Sequence, residues 1–341
     1  MRSHSASSVG TMTTRTELAK IWRELARDTG GHGSVRRRVL PGLAHDVFIG
    51  ENRPDRQRVL MLQIHERHDV SQRRRPSSRG VVIDVDASRP DGVDIRLAST
   101  TYDNDSLFME LTADVIGVIA SNPTAGLAAR VLNRIAAWQR FFATRPHEFS
   151  AEQAAGLFTE LHVLESLLIP AIGPSRAIAA WTGADPAIQD FQTERATIEV
   201  KSFRGTGSGR LTISSEQQLD TAGSADLYVA YIRIDQRSDG PGASIPDAIN
   251  RIRTTIMKDQ AAVYAFGDRI VAYGWTDAIA EYRTERFEVR SSEYFHVADG
   301  FPRIIVDMLP LGVGAVSYSI DRAAIERFLA SPQDLTRALR N

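Results

Sequence analysis

The stretch Gln189–Ser202, reading QDFQTERATIEVKS, constrains the fold more than any other part of the chain. With Glu194-Arg195 as a two-residue hairpin turn, Thr193 pairs with Ala196, Phe191 with Ile198 and Asp190 with Glu199. Directly opposed residues of an antiparallel pair share a face, and side chains alternate along a strand with period two. Lys201 therefore joins Glu199. Asp190, Glu199 and Lys201 gather on one side of the hairpin, while Phe191, Ile198 and Val200 take the side a core would fill. A turn one residue longer weakens this pairing, so the pattern is a test of consistency.

Two carboxylates held this close repel unless a cation neutralises them. Mg²⁺ suits such a pair: it takes hard oxygen ligands, keeps several waters and leaves positions for a phosphate. Bound there, it would acidify a water and polarise a phosphodiester. Lys201 would orient that water or stabilise charge on the attacked phosphate. Only three of the 41 basic residues are lysine, namely Lys20, Lys201 and Lys258. A chain that uses arginine almost everywhere has placed a compact, rotatable ammonium here, a group arginine does not replace.

The segment before the hairpin supplies a further carboxylate. Ser150 and Gln153 form a capping box, and Leu157, Leu161, Leu164 and Leu168 continue as the apolar stripe of a helix. Pro170, Gly173 and Pro174 are expected to stop it. Glu160 lies on the flank of that stripe, where it can lean over a sheet edge toward the metal.

The full sequence has 341 residues, enough for two domains. The absence of cysteine excludes disulfides, zinc knuckles and thiol catalysis. No run approaches the roughly 18 consecutive apolar residues of a membrane span, and the N-terminus lacks the apolar core of a signal peptide. A cytoplasmic protein without a membrane partner is expected. Residues 1–150 carry 22 Arg and Lys against 17 Asp and Glu, and the remainder 19 against 25. A basic front half beside an acidic back half fits a nucleic-acid surface next to a metal site.

The expected fold class is α/β, α+β overall. Residues 1–14 are a disordered tail. Residues 15–146 form an α+β domain for DNA or partner recognition, with helices over 16–28, 106–121 and 124–144 and strands at 59–64 and 80–85. Residues 150–275 form the core, with strands near 189–193, 196–203, 211–213 and 227–234, a helix from Ser214 or Ser215, a helix over 245–257 and a strand at 269–273. Residues 276–341 form an extension of strands and a last helix over 321–329.

Several segments together resemble the PD-(D/E)XK nuclease superfamily. They are Gly156–Leu161, Trp181-Thr182-Gly183, Asp190-Phe191, Ile198–Ser202 and Ile213–Leu219, joined by Tyr294–Val297, Phe301–Ile304 and Val316–Tyr318. Within it they resemble a bacterial family of unknown function associated with restriction and phage-defence loci. The resemblance implies a restriction-endonuclease-like αβββαβ core with a mixed sheet, a divalent metal (Mg²⁺, with Mn²⁺ as substitute) and DNA phosphodiester hydrolysis. Asp190 and Glu199 fall on the acidic positions, Lys201 on the lysine, and Glu160 on the helix glutamate of part of the superfamily. Metal ligation by Asp190, Glu199 and Glu160 follows, with Ser202 and Gln218 accessory. The motif proline is missing: Gln189 precedes Asp190, and Asp185-Pro186 stands nearby in reversed order.

Weaker signals surround this set. Arg204 and Arg210 flank a glycine-rich segment that would let backbone approach a DNA phosphate. Arg73, Arg74 and Arg75, and Arg36–Arg38, are further candidates for phosphate contact, with charged loop surface as the alternative. His65, His68 and Asp69, or Asp84 and Asp86, form minor cation candidates. The expected function is a DNA endonuclease of a restriction or phage-defence system, with other proteins of that system as partners and homodimerisation open. The alternative is a non-catalytic DNA-binding or assembly subunit that keeps the fold.

Overall fold

Helix α1 (Arg15–Arg27) buries Leu18, Trp22 and Leu25, an i, i+4, i+7 stripe that gives it one apolar face. It belongs to the first of two compact units, residues 1–145 and 146–341, into which the chain divides. The computed structural model describes residues 15–27, 33–66, 77–78, 81–100, 105–121, 126–144, 149–183, 187–205, 209–221 and 226–340.

The first unit contains a six-stranded antiparallel sheet. Its strands are β1 (Gly33–Val39), β2 (Asp46–Arg53), β3 (Gln57–Ile64), β4 (Ser77–Ser78), β5 (Val81–Asp86) and β6 (Val93–Ser99), in the spatial order β1-β2-β3-β6-β5-β4. Alternation along β5 buries Val81, Ile83 and Val85, as period two requires of a half-buried strand. Helices α2 (Asp105–Ser121) and α3 (Leu127–Thr144) complete the unit. The Glu66 carboxylate accepts the Leu127 and Ala128 N–H groups, satisfying donors that a helix start leaves unpaired.

The second unit begins with α4 (Ala151–Val163), whose N-cap Ser150 accepts the Gln153 N–H while the Gln153 side chain accepts the Ser150 N–H. The helical rod runs on through Ile172, and Gly173, at φ 81°, ends it. Pro170 does not stop it, contrary to expectation. A π turn over Leu164–Leu168 lets the Ile169 N–H reach the Leu164 carbonyl, so the ladder is already offset where proline would break it. Among the described residues this is the one helix apolar and long enough to cross a membrane, and most of it is buried inside the protein.

Short helices α5 (Ile169–Ile172) and α6 (Pro174–Ala180) lead to β7 (Phe191–Gln192), β8 (Ala196–Phe203) and β9 (Arg210–Ile213), then β10 (Asp226–Arg237). Helices α7 (Ile245–Ile256), α8 (Gln260–Tyr273) and α9 (Asp277–Tyr282) precede β11 (Arg286–His296), β12 (Tyr318–Asp321), β13 (Leu329–Ala330) and α10 (Pro332–Arg340). The main sheet is mixed, ordered β13-β11-β10-β8-β7, and β9 pairs with β12 in a separate two-stranded sheet. The β8–β10 pair is parallel, with Glu199 beside Val229 and Lys201 beside Tyr231. The architecture is α+β. Residues 286–296 supply a strand of the main sheet through antiparallel pairing with β10.

Three local expectations are corrected. The described residues after Ser214 form successive turns rather than a helix. The Gln218 side chain takes the Ser214 N–H, the Ser215 hydroxyl takes the Gln217 N–H, and Glu216 accepts the Ala315 and Val316 N–H groups. Such side-chain bonds compete with a helical ladder. Residues 269–273 are the end of α8, not a strand. Asp259 caps that helix and Gly274, at φ 107°, closes it, so the helix signals at its ends override the β propensity of Ile270 and Val271. Residues 322–328 form a 3₁₀ segment, and the last helix is Pro332–Arg340.

Candidate active site

The hairpin that carries the acidic residues has the register of a two-residue turn. Phe191 pairs with Ile198 and Gln192 with Thr197, and the Thr193 N–H donates to the Ala196 carbonyl at 3.0 Å. Thr193 Oγ1 also accepts the Ala196 N–H at 2.9 Å, closing the turn. Phe191 and Ile198 are fully buried. Glu199, Lys201 and Phe203 occupy the opposite face of β8 by alternation. Phe203 there packs against a cluster that includes Leu211, Ile213, Val229 and Tyr231.

Asp190 lies just before β7 and is fixed from two sides. Its carbonyl accepts the Thr182 N–H at 2.8 Å, and its Oδ2 accepts the Val200 N–H at 2.7 Å. The carboxylate is thereby held against β8, where its charge acts on Glu199. Burial raises the Asp190 pKa to about 6, against the opposing pull of the Val200 N–H and the Lys201 charge.

Glu199 is buried, at 2% exposure. Its Oε1 pairs with Lys201 Nζ at 2.8 Å. Its Oε2 is buried and accepts no hydrogen bond among the described residues. Burial first, and then the neighbouring charge of Asp190, push its pKa up to about 8, with Lys201 opposing both. A buried carboxylate oxygen without a partner is costly, and here it stands next to a second acid. Lys201 Nζ also donates to Gln218 Oε1 at 3.0 Å, and that oxygen takes the Ser214 N–H at 2.9 Å. The Gln218 carbonyl in turn lies 3.3 Å from Gln189 Nε2. Gln218 thus sits against Lys201 from the turn region, not from a helix.

Glu160 stands one layer away. Its Oε2 accepts the Trp181 indole N–H at 2.7 Å and its Oε1 the Tyr273 hydroxyl at 2.7 Å. Burial raises its pKa well above the usual carboxylate range, and the Asp190 charge adds to this. The expected convergence of Glu160 with Asp190 and Glu199 is not seen. Among the described residues no three Asp, Glu or His side chains form a group able to hold a metal ion. Each Glu160 oxygen accepts one aromatic donor and keeps a further lone pair free.

The accessory candidates separate. Ser202 is exposed and falls on the face of β8 opposite Lys201. Arg204 reaches Gln236 and Glu152, and Arg210 pairs with Asp321; neither belongs to the carboxylate cluster. Arg73, Arg74 and Arg75, like His68, Asp69, Asp185 and Pro186, lie outside the described residues. In the first unit, His65 bonds to Asp46 at 3.1 Å and Arg89 at 3.0 Å, and Asp86 accepts the Ser88 N–H.

Trp181, Tyr273 and Gln189 complete the surroundings, and none was singled out as a site residue from sequence. Trp181 lay in a segment that carried the resemblance. Tyr273 carried no signal, because its place depends on α8, which the sequence presents as a strand.

A family model described as "Putative PD-(D/E)XK family member, (DUF4420)" matches residues 18–322. No curated protein and no solved structure matches the chain. The match spans most of the chain and includes every element of the carboxylate–lysine cluster, so the chain belongs to the DUF4420 family of PD-(D/E)XK-type proteins.

Proposed function

We propose that the second unit is a metal-dependent nuclease that hydrolyses DNA phosphodiester bonds, with Mg²⁺ as its cation and Mn²⁺ as a substitute. The observation that carries this reading is the buried Glu199 carboxylate, with an oxygen left without a partner among the described residues and the charge of Asp190 acting on it. The half-buried Asp190 adds its charge there, and Lys201 pairs with Glu199. Such a pair fits a hard divalent cation, which would satisfy the orphaned oxygen and offset the repulsion. Asp190 and Glu199 would hold it. When bound, it would acidify a water and polarise the scissile phosphate.

The chain's own groups supply the rest. Lys201 presents three donors, of which Glu199 and Gln218 occupy two. The third remains for a phosphate oxygen or the attacking water. Gln218 keeps the ammonium from collapsing fully onto Glu199. In the reaction, water adds to phosphorus, the bond from phosphorus to one ester oxygen breaks, and that oxygen leaves with a proton. Loss of the water's proton is assisted at the carboxylate–lysine cluster. We assign the first unit to target recognition or partner docking, and the whole protein to restriction or phage defence.

The test is nicking of plasmid and phage DNA, methylated and unmethylated, with Mg²⁺, Mn²⁺ or EDTA. Cleavage that requires the metal and disappears in Glu199→Gln supports the proposal. DNA binding without cleavage under every condition, with genomic neighbours supplied, supports an assembly subunit instead.

A further inference from the structure

We infer that one face of the first unit's sheet docks a second copy of this chain, across a two-fold axis that runs along the strands. This rests on the assignment of the first unit to partner docking and commits it to one partner.

Alternation gives the sheet two faces. One carries Ile49, Leu60, Leu97 and Ile83 side by side across β2, β3, β6 and β5, and all four are buried. The other carries the row Arg38, Phe48, Met61, Arg96 and Asp84, from β1 to β5. In this row Arg38 is exposed, and Phe48, Met61, Arg96 and Asp84 are half-buried. A concavity on the same face takes in Phe48, Met61, Gln63 and Arg96, and the Arg36 guanidinium lies over the Phe48 ring at 4.8 Å. Charge changes sign across the face: β1 presents Arg36 and Arg38, and β5 presents Asp84 and Asp86. Asp46 and Asp94 stand in the next row. Four carboxylates on one face would meet phosphates unfavourably, so a nucleic-acid backbone fits it poorly.

That gradient selects both the partner and the axis. A two-fold across the strands would lay β1 on the partner's β1, arginine on arginine. A two-fold along β3 lays β1 on the partner's β5 instead. In the row above, Arg38 then meets the partner's Asp84, Phe48 meets the partner's Arg96, and Met61 meets the partner's Met61. These are an ion pair, a cation–π contact and a thioether contact at the axis. Each off-axis contact occurs twice, because a two-fold interface is isologous. The next row sets Asp46 against the partner's Asp94, but each has its own arginine, Arg38 at 2.7 Å and Arg89 at 2.8 Å. Five strands about 4.8 Å apart make a face roughly 24 Å wide. Two copies would bury on the order of 1,000 Å², the low end for a specific interface, so the dimer is weak and concentration-dependent.

The test is sedimentation velocity of the full-length protein in EDTA, over a concentration series reaching roughly 100 µM to populate an interface of this size. Wild type should pass reversibly from monomer to dimer. Arg38→Glu and Asp84→Lys should each raise the dimer dissociation constant by at least about tenfold, since each sets like charges face to face at both symmetric contacts. An equimolar mixture of the two variants should dimerise again, because a mixed pair restores opposite charges at both. If a charge reversal does not fold, Arg38→Ala and Asp84→Ala replace the pair, and each should still weaken the dimer. A wild type that stays monomeric throughout overturns the inference. So do substitutions that leave the dimer unchanged, or two folded charge-reversal variants that fail to recover it when mixed. None of these outcomes touches the nuclease reading of the second unit, which is read by cleavage.

Discussion

Asp190→Asn should stabilise the metal-free protein while removing its response to metal. Asparagine can still accept the Val200 N–H through its side-chain oxygen, as Asp190 does at 2.7 Å. Alanine could not, and would leave a buried N–H unpaired at about 1–3 kcal/mol. What asparagine removes is the charge. In the fold the Asp190 carboxyl is raised from 3.8 to about 6. Each pKa unit corresponds to about 1.4 kcal/mol, so ionising this group in the native state costs about 3 kcal/mol once the pH exceeds 6. Because the folded pKa is raised, the native state holds an extra proton between pH 3.8 and about 6. Stability therefore falls as pH rises through that window and is then flat with respect to this group. Removing the charge also relieves Glu199, whose pKa Asp190 helps to raise. A net gain on the order of 1–3 kcal/mol at pH 8 in EDTA is expected, which for a unit of this size raises Tm by roughly 3–10 °C. The assay is calorimetry in EDTA from pH 4 to 9, repeated with Mg²⁺. Wild type should gain about 2.7 kcal/mol at a hundredfold excess of Mg²⁺ over Kd, and the variant should gain nothing. A variant less stable than wild type in EDTA at pH 8, or one that keeps the metal-induced rise, would refute the reasoning.

Two further substitutions test the scaffold. Ser150→Ala removes one half of the capping box and should cost about 1 kcal/mol, read as a lower denaturant midpoint with metal binding intact. Gly209→Ala places a Cβ 1.9 Å from the Tyr231 hydroxyl at a backbone φ of +68°. It should destabilise by roughly 1–3 kcal/mol, and a neutral result in urea would show that Tyr231 moves aside at little cost.

The hairpin was legible in the sequence because its register depends on a two-residue turn and strict alternation. Both are local rules that need no tertiary knowledge. The capping box at Ser150 was legible for the same reason. Residues 269–273 were misread because Ile270, Val271 and Tyr273 favour strands locally, while the cap at Asp259 and the turn at Gly274 lie outside that short window. The turns after Ser214 were hidden because they depend on Glu216 finding the N–H groups of Ala315 and Val316, about a hundred residues onward. Glu160 shows the same limit at the site. Its flank position was readable, but its two aromatic partners come from a loop residue and from the end of α8. No spacing rule links them to it.

If Lys201 serves phosphodiester hydrolysis, its shape and proton chemistry should matter as well as its charge. Lys201 is nearly enclosed, at 13% side-chain exposure, between Glu199 and Gln218. A guanidinium is too broad for that seat and cannot release a proton near neutral pH. DNA cleavage in Mg²⁺ and DNA binding in Ca²⁺ are compared for wild type, Lys201→Ala and Lys201→Arg. Both variants should lose cleavage by about 10²–10⁴-fold, as expected when a proton-handling group is removed. Both should keep binding, because one lysine among many phosphate contacts contributes little. Wild-type cleavage by Lys201→Arg would contradict the account, since charge alone would then suffice at this position.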